Sequence, residues 1–233
     1  MSSVLELRRY ALRPGHRETL IALFEREFIE SQESCGMLPI GHYRDLDDAD
    51  SFVWLRGFEN MDARRRGLEC FYIKSEAWKR YRNEANATMI DSDNVLLLRP
   101  ASPSAGFDLT GLHRPQMGQA FTPPSLVGVA VLMLSAHTSA EVVSSFEREM
   151  LPAIGRDGHV LGYFATEETP NDFPGLPVRN EPALVIAGRF AEESALARWS
   201  QLFERDALPD AVQSRVIKSE IIRLEPAARA LLR

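Results

Sequence analysis

The chain has 233 residues, 45% of them hydrophobic and 26% charged, with a formal net charge of −6. That length and composition suit one large domain or two small ones with a real core, and the negative balance argues against nucleic acid as the main partner. Cys35 and Cys70 stand without a second pair and without histidines at ligand spacing, so neither a disulfide framework nor a metal site is expected, and reduced thiols in a cytoplasmic protein are. No apolar run approaches the roughly 20 residues of a membrane span, and "MSSVLELRRY" leads into strand-like sequence without a signal h-region.

In chain order, "VLELRRYAL" reads as a strand. Pro14 then stands where a helix can begin, Leu20, Leu23, Phe24 and Phe28 form its apolar stripe, and Cys35-Gly36 ends it. After a second strand, "DLDDADS" resembles a calcium loop only in its acidity. Asp50 and Arg56 occupy the positions that would need glycine and glutamate, so an acidic hairpin turn is expected. "FVWLRGF" alternates two faces as a strand does. The triplet Arg64, Arg65 and Arg66 opens a helix and reads as a solvated face. That helix is interrupted near Tyr72 to Ser75 and extended by "EAWKRYRNEANATM", and "NVLLLRPA" closes the set as a strand.

The same order then recurs. Phe24-Glu-Arg-Glu27 returns as Phe146-Glu-Arg-Glu149, "VLELRRYAL" as "VGVAVLML", "FVWLRGF" as "LVIAGRF" and "NVLLLRPA" as "EIIRLEPA". Each half reads βαββαβ, a ferredoxin-like unit with helices on one face of an antiparallel sheet. The halves are placed at 1–103 and 125–233, with a Gly- and Pro-rich linker at 104–124. Two copies can cover each other's open sheet face, so the expected fold is α+β, with tandem ferredoxin-like repeats forming one intrachain barrel.

The stretches "LELRRYALRPG", "RDLDDADSFVWLRGF" and "WKRYRNEANATMIDSDNVLLLRP" resemble NIPSNAP-domain proteins, within the dimeric α+β-barrel superfamily. The resemblance is close over residues 4–101 and weaker, though in register, over 125–227. It implies the fold more strongly than a chemistry. NIPSNAP proteins have no settled activity, and barrel relatives include cofactor-independent quinol monooxygenases, small isomerases and haem-handling enzymes.

Alternation along the strands divides the first half into two sets. Leu5, Leu7, Val53 and Leu55 suit the helices. Glu6, Arg8, Tyr10, Phe52, Trp54, Arg56 and Phe58 are then expected to face the barrel interior, joined by either His42 and Arg44 or Tyr43. The second half is apolar on both faces and reads as mainly structural. A small aromatic or anionic molecule bound between the two sheets is the resulting expectation, with Arg8, Tyr10, His42, Trp54, Arg56, Trp78, Arg82 and Asn86 as candidate ligand-binding residues. Equally, Glu6, Arg8 and Arg56 could pair with one another, His42 could be a packing histidine and Trp54 core.

On the helix at 75–89, Trp78, Tyr81, Ala85 and Met89 share one arc at about 100° per residue, and Arg82 falls inside it. Packing against Glu6 or Asp91, a contact to another subunit, and a cavity wall are three open readings. No Ser, His and Asp set, phosphate loop or metal ligand set can be assembled. His16, His113, His137 and His159 are poorly placed for haem, so no cofactor is expected. Three functions stand side by side: a small-molecule barrel, a cofactor-independent monooxygenase or isomerase, and a non-catalytic scaffold meeting protein partners through "TPNDFPGLPVRNEP". A homo-oligomer is open. For a small-molecule binder, a cavity of about 300 Å3 or more is expected near Trp54.

Overall fold

A computed structural model describes residues 2–119, 125–156 and 158–233, so the last part of the expected linker, 120–124, lies outside the described residues. Eight strands, β1 (Val4–Leu12), β2 (Leu38–Asp45), β3 (Ser51–Phe58), β4 (Met89–Pro100), β5 (Leu126–Leu134), β6 (His159–Thr166), β7 (Ala183–Phe190) and β8 (Val216–Pro226), close into one barrel in the order β1-β3-β2-β8-β5-β7-β6-β4. All neighbours are antiparallel. Strands β4-β1-β3-β2 form one wall and β8-β5-β7-β6 the other. The walls join where Tyr43, Arg44 and Asp45 meet Pro226, Glu225 and Leu224, and where Leu98, Arg99 and Pro100 meet Thr166, Ala165 and Phe164.

The helices lie outside the barrel. The first run is α1 (Arg17–Leu23), a π-helical turn (Phe24–Phe28) and α2 (Ile29–Glu33), and the second is α3 (Met61–Leu68), a π-helical segment (Glu69–Lys74) and α4 (Glu76–Thr88). Ser75 breaks the second run with extended backbone (ψ 131°), and its side chain accepts from the Trp78 amide to start α4, as Ser does at an N-cap. Over the other wall come α5 (Ala140–Ser145), a π-helical turn (Phe146–Met150), α6 (Leu151–Ile154), α7 (Glu193–Gln201) and α8 (Asp210–Gln213). The repeated Phe-Glu-Arg-Glu stretches thus open the two matching π turns.

The alternation in β1 and β3 is real, but the two sets face opposite to the expectation. Leu5, Leu7, Ile40, Val53 and Leu55 fill the barrel with Val127, Val129, Val131, Ile222 and Leu224, whereas Tyr10, Phe52, Trp54 and Phe58 pack with Phe24, Phe28, Leu68 and Phe71 of the helices. Tyr43 goes inward, and its hydroxyl donates to the Leu232 carbonyl at 3.0 Å. Period two separates the faces without saying which is inside. The reason for the outcome lies in the partner wall, which offers only apolar groups, aliphatic apart from Phe164. A dry interface can meet those with Leu, Val and Ile, while guanidiniums need donors and acceptors that helices and loops supply. The space between the sheets is therefore mostly packed core, with a cavity of about 450 Å3 at one end of it lined by Leu5, Leu38, Ile40, Phe107 and Phe164.

The thiols also depart from expectation. Cys35 and Cys70 form a disulfide, with Cα atoms 5.6 Å apart and the two positions 35 apart in sequence. It ties the chain just after α2 to the π-helical segment after α3. Gly67 permits the approach, since a Cβ there would lie 2.7 Å from Met37 Cγ and 3.1 Å from the Cys35 carbonyl oxygen. Neither cysteine has a neighbour in sequence that marks it for pairing, because the contact arises from two helical runs laid side by side on the sheet.

Candidate functional site

Between β1, β3 and the first two helical runs lies a buried ionic cluster. Glu6 and Arg8 stand two residues apart on β1, Arg56 lies opposite Glu6 on β3, and Arg64 comes from α3. Glu6, Arg56 and Arg64 are 0% exposed and Arg8 is 1% exposed. Glu6 Oε2 accepts from Arg8 Nη1 at 2.9 Å and from Arg56 Nε and Nη2 at 3.0 and 2.5 Å, while Oε1 accepts from Arg64 Nε at 2.8 Å. Arg64 Nη1 continues to Asn171 Oδ1 at 3.0 Å and Asp172 Oδ1 at 2.9 Å, both in the β6–β7 connection. Burial alone would raise the Glu6 pKa, but Arg56, Arg8 and Arg64 outweigh it and hold the carboxyl well below the usual carboxylate range. Three buried cations face one buried carboxylate and the part-exposed Asp172, which leaves one positive charge in surplus.

Beside this cluster a cavity of about 40 Å3 is lined by Tyr10, Phe24, Phe28, Gln32, Phe52, Trp54, Phe71, Tyr72, Trp78 and Met89, among others. Its polar lining consists almost wholly of donors. Arg8 Nε donates to the Tyr10 hydroxyl at 2.9 Å and Arg56 Nη1 to the Tyr72 hydroxyl at 3.2 Å, so each phenol oxygen is occupied as an acceptor while its own proton has no acceptor among the described residues. Gln32 turns Oε1 to Arg56 at 3.1 Å. Trp54 Nε1 is buried without a hydrogen-bond partner. The guanidinium of Arg56 also stands 4.9 Å from the Trp54 ring centroid and that of Arg8 5.5 Å from the Tyr10 centroid. Burial, opposed by Arg8, pushes the Tyr10 phenol up, so it keeps its proton at neutral pH and can donate it.

His42 is fully buried behind Phe24, with ring centroids 5.2 Å apart. Its Nε2–H donates to Glu25 Oε1 at 2.8 Å, and the Arg229 amide donates to the same oxygen at 2.9 Å. Burial lowers the His42 pKa and the Glu25 contact opposes this only in part. Nδ1 has no partner, yet His42 does not line the cavity. Among the described residues no three His, Cys, Asp or Glu side chains cluster as metal ligands would.

Residues 5–105 match the profile of the NIPSNAP family. They are a NIPSNAP domain. Over the whole barrel, the chain is similar to a candidate monooxygenase from Lactobacillus acidophilus NCFM (11% identity, 97% of this chain and 94% of that one, TM-score 0.60) and to another from Fusobacterium nucleatum (8% identity, 96% and 91%, TM-score 0.56). At those identities the likeness is one of fold. An uncharacterized NIPSNAP-like domain protein from Burkholderia xenovorans is 27% identical over 43% of this chain and 87% of its own (TM-score 0.39). No curated protein matches the chain.

Of the residues expected at a site, the NIPSNAP domain brings Arg8, Tyr10, Trp54, Arg56 and Trp78 together at the cluster and its cavity. Arg82 and Asn86 lie on the exposed side of α4, and Arg82 has no ion pair, to Glu6 or Asp91 or otherwise, among the described residues. Gln32, Arg64, Tyr72 and Asp172 were missed. Arg64 had a signal, since Met61, Arg64 and Leu68 fall on one helical face and an arginine there is not solvated. Gln32 likewise continues the apolar stripe of Phe24 and Phe28. Asp172 had none, because it arrives from the far side of the barrel.

Proposed function

We propose that the cavity beside Trp54 binds a small planar molecule presenting an anionic or carbonyl oxygen, and that it does so from the helix side of the sheet. The carrying observation is the mismatch of donors and acceptors: two phenol protons, an unpartnered indole N–H and one surplus positive charge converge where no acceptor is supplied. A carboxylate, phenolate or enolate oxygen answers all three, and the aromatic walls suit a planar body. At about 40 Å3 the cavity holds little more than water or a diatomic molecule, well short of the roughly 300 Å3 that ligand pockets begin at, so binding requires the helical wall to move outward. A cofactor-independent oxygenation of a bound quinol or enolisable acid is the reaction class in keeping with the fold shared with the two candidate monooxygenases. Arg8 and Tyr10 would then hold the substrate oxygen. His42 stands too far behind Phe24 to serve as base in this conformation.

The same reading makes the chain a tandem of ferredoxin-like halves, 1–103 and 125–233 joined by 104–124, acting in the cytoplasm with the first half as the binding half. What supports it is the rung Glu6–Arg56, which has its counterpart in Gly128–Gly188. Trp199 occupies the space that the ion cluster takes in the first half, since a Cβ on Gly128 would lie 2.7 Å from it. The scaffold reading is weaker, because Phe173, Leu176 and Val178 of the Pro-rich loop pack inward on the cluster.

Titration with 4-hydroxybenzoate and hydroquinone tests the proposal. The parent should show a saturable thermal shift, and Trp54→Phe, which keeps one aromatic ring and removes the indole N–H, should melt lower because it leaves a cavity and should bind the probe at least about tenfold more weakly, within the 1–3 kcal/mol of one buried donor. Oxygen consumption with the quinol reports turnover. A parent that responds to no carboxylate, phenol or quinol at millimolar concentration would sink the reading.

A further inference from the structure

The cavity is walled by two helical runs, and one covalent bond ties them together. Gln32 and Phe28 come from the first run, and Phe71, Tyr72 and Trp78 from the second. Cys35 lies three residues beyond Gln32, and Cys70 directly precedes Phe71 and Tyr72. The bond therefore spans the seam between the two walls at the point where they line the cavity. Both cysteines are only partly buried. The second wall is built to shift: residues 69–74 are π-helical rather than α-helical, and Ser75 is an extended break before α4. Segments of that kind are weaker than regular helix and commonly sit at functional sites.

We propose that the Cys35–Cys70 pair is a thiol–disulfide redox site that latches the wall formed by residues 69–89. In the oxidised form the latch holds the cavity at its small closed volume. A dithiol reductant opens it: its thiolate attacks one cysteine sulfur, two electrons pass to the pair, the Sγ–Sγ bond breaks to two thiols, and the reductant leaves as its own disulfide. The π segment and α4 then pivot at Ser75 and admit a planar ligand. In a reducing compartment disulfides are mostly transient and sensing, which is the behaviour a latch needs. The ligand half of this inference rests on the function proposed above; the latch itself does not.

Hydrogen–deuterium exchange on the full chain, oxidised, reduced with dithiothreitol, and as the Cys35→Ser/Cys70→Ser variant, separates the two. Exchange over residues 69–89 should rise at least about fivefold in the reduced chain and in the double variant, with β5 and β7 unchanged. Equal exchange in both redox forms, a loss of protection spread over the whole chain, or free thiols that fail to pair under air or oxidised glutathione would each overturn the latch. With 4-hydroxybenzoate as probe, tighter binding to the reduced chain supports gating, and equal affinity in both forms overturns it. If the probe binds neither form, the function proposed above fails, while the exchange result still decides the latch.

Discussion

Glu6 shows what one residue does in this protein. With a single acid among three buried arginines, its carboxylate is the only fully buried counter-charge of the cluster among the described residues, and removing one partner of such a group is costly where replacing the whole set by apolar groups would not be. The alternation of β1 made Glu6, Arg8 and Tyr10 legible as one face, and pairing among Glu6, Arg8 and Arg56 was legible too. Which side that face met was not, because burial is decided by what the other wall offers. The same reasoning gives the pH dependence its sign. His42 has a folded pKa below its unfolded value of about 6.5 because burial disfavours its charge, so its contribution is fully present above about pH 6.5 and is lost as pH falls through the folded value. Glu6 is held below the unfolded glutamate value of about 4.3 by the arginines, against the pull of burial, so its share is present above that pH and is lost as pH falls through its folded value. Acid destabilisation should therefore have an early component beginning near neutrality and a late one below about pH 4.3. His42→Gln keeps a donor toward Glu25 but does not titrate. Urea unfolding from pH 8 to 3.5 should lose the early component and keep the late one; an unchanged slope between pH 7 and 5 would assign it elsewhere.

At the scale of the element, α4 shows how a helix can be recognised while the place of one residue on it is misjudged. The range expected from the sequence, 75–89, agrees with Glu76–Thr88 and its Ser75 cap. Trp78, Tyr81, Ala85 and Met89 span about 80° centred on Ala85, which is buried as expected with Thr88 beside it, whereas Arg82, expected inside that arc, lies just beyond its Met89 edge. At about 100° per residue Arg82 points about 60° from Ala85 and about 120° from Thr88, which carries it off the contact and into solvent. Arg82→Met should consequently leave stability within about 0.5 kcal/mol of the parent, as exposed substitutions usually do. A loss of several kcal/mol in chemical denaturation would mean that Arg82 is paired after all. The break before α4 was legible from Tyr72 to Ser75, but the cysteine pair was not, since nothing local signals a contact between two helical runs.

For the whole molecule, the barrel explains why two walls occupy one chain. The inner face of the first wall carries Leu5, Leu7, Ile40, Val53, Leu55, Leu96 and Leu98, all buried against the second wall, and a sheet cannot leave such a face in water. The second wall also sends Asn171 and Asp172 to Arg64 and packs Phe173 at 6.3 Å from Tyr72, so it completes the cluster as well as covering the sheet. Residues 1–103 expressed alone lose both contributions. They retain the strands β4-β1-β3-β2, whose edges at β2 and β4 are freed for pairing, and a second copy can supply what β8 and β6 supplied. The fragment should therefore sediment as a dimer, or bind hydrophobic dyes strongly where concentration holds it monomeric. Even as a dimer it should be less stable than the full chain, because a second copy lacks the Asp172 loop and leaves Arg64 without its outer acid. A fragment that is monomeric, stable and indifferent to dye would mean that the inner face finds cover within its own half, and the argument from the shared core would fail.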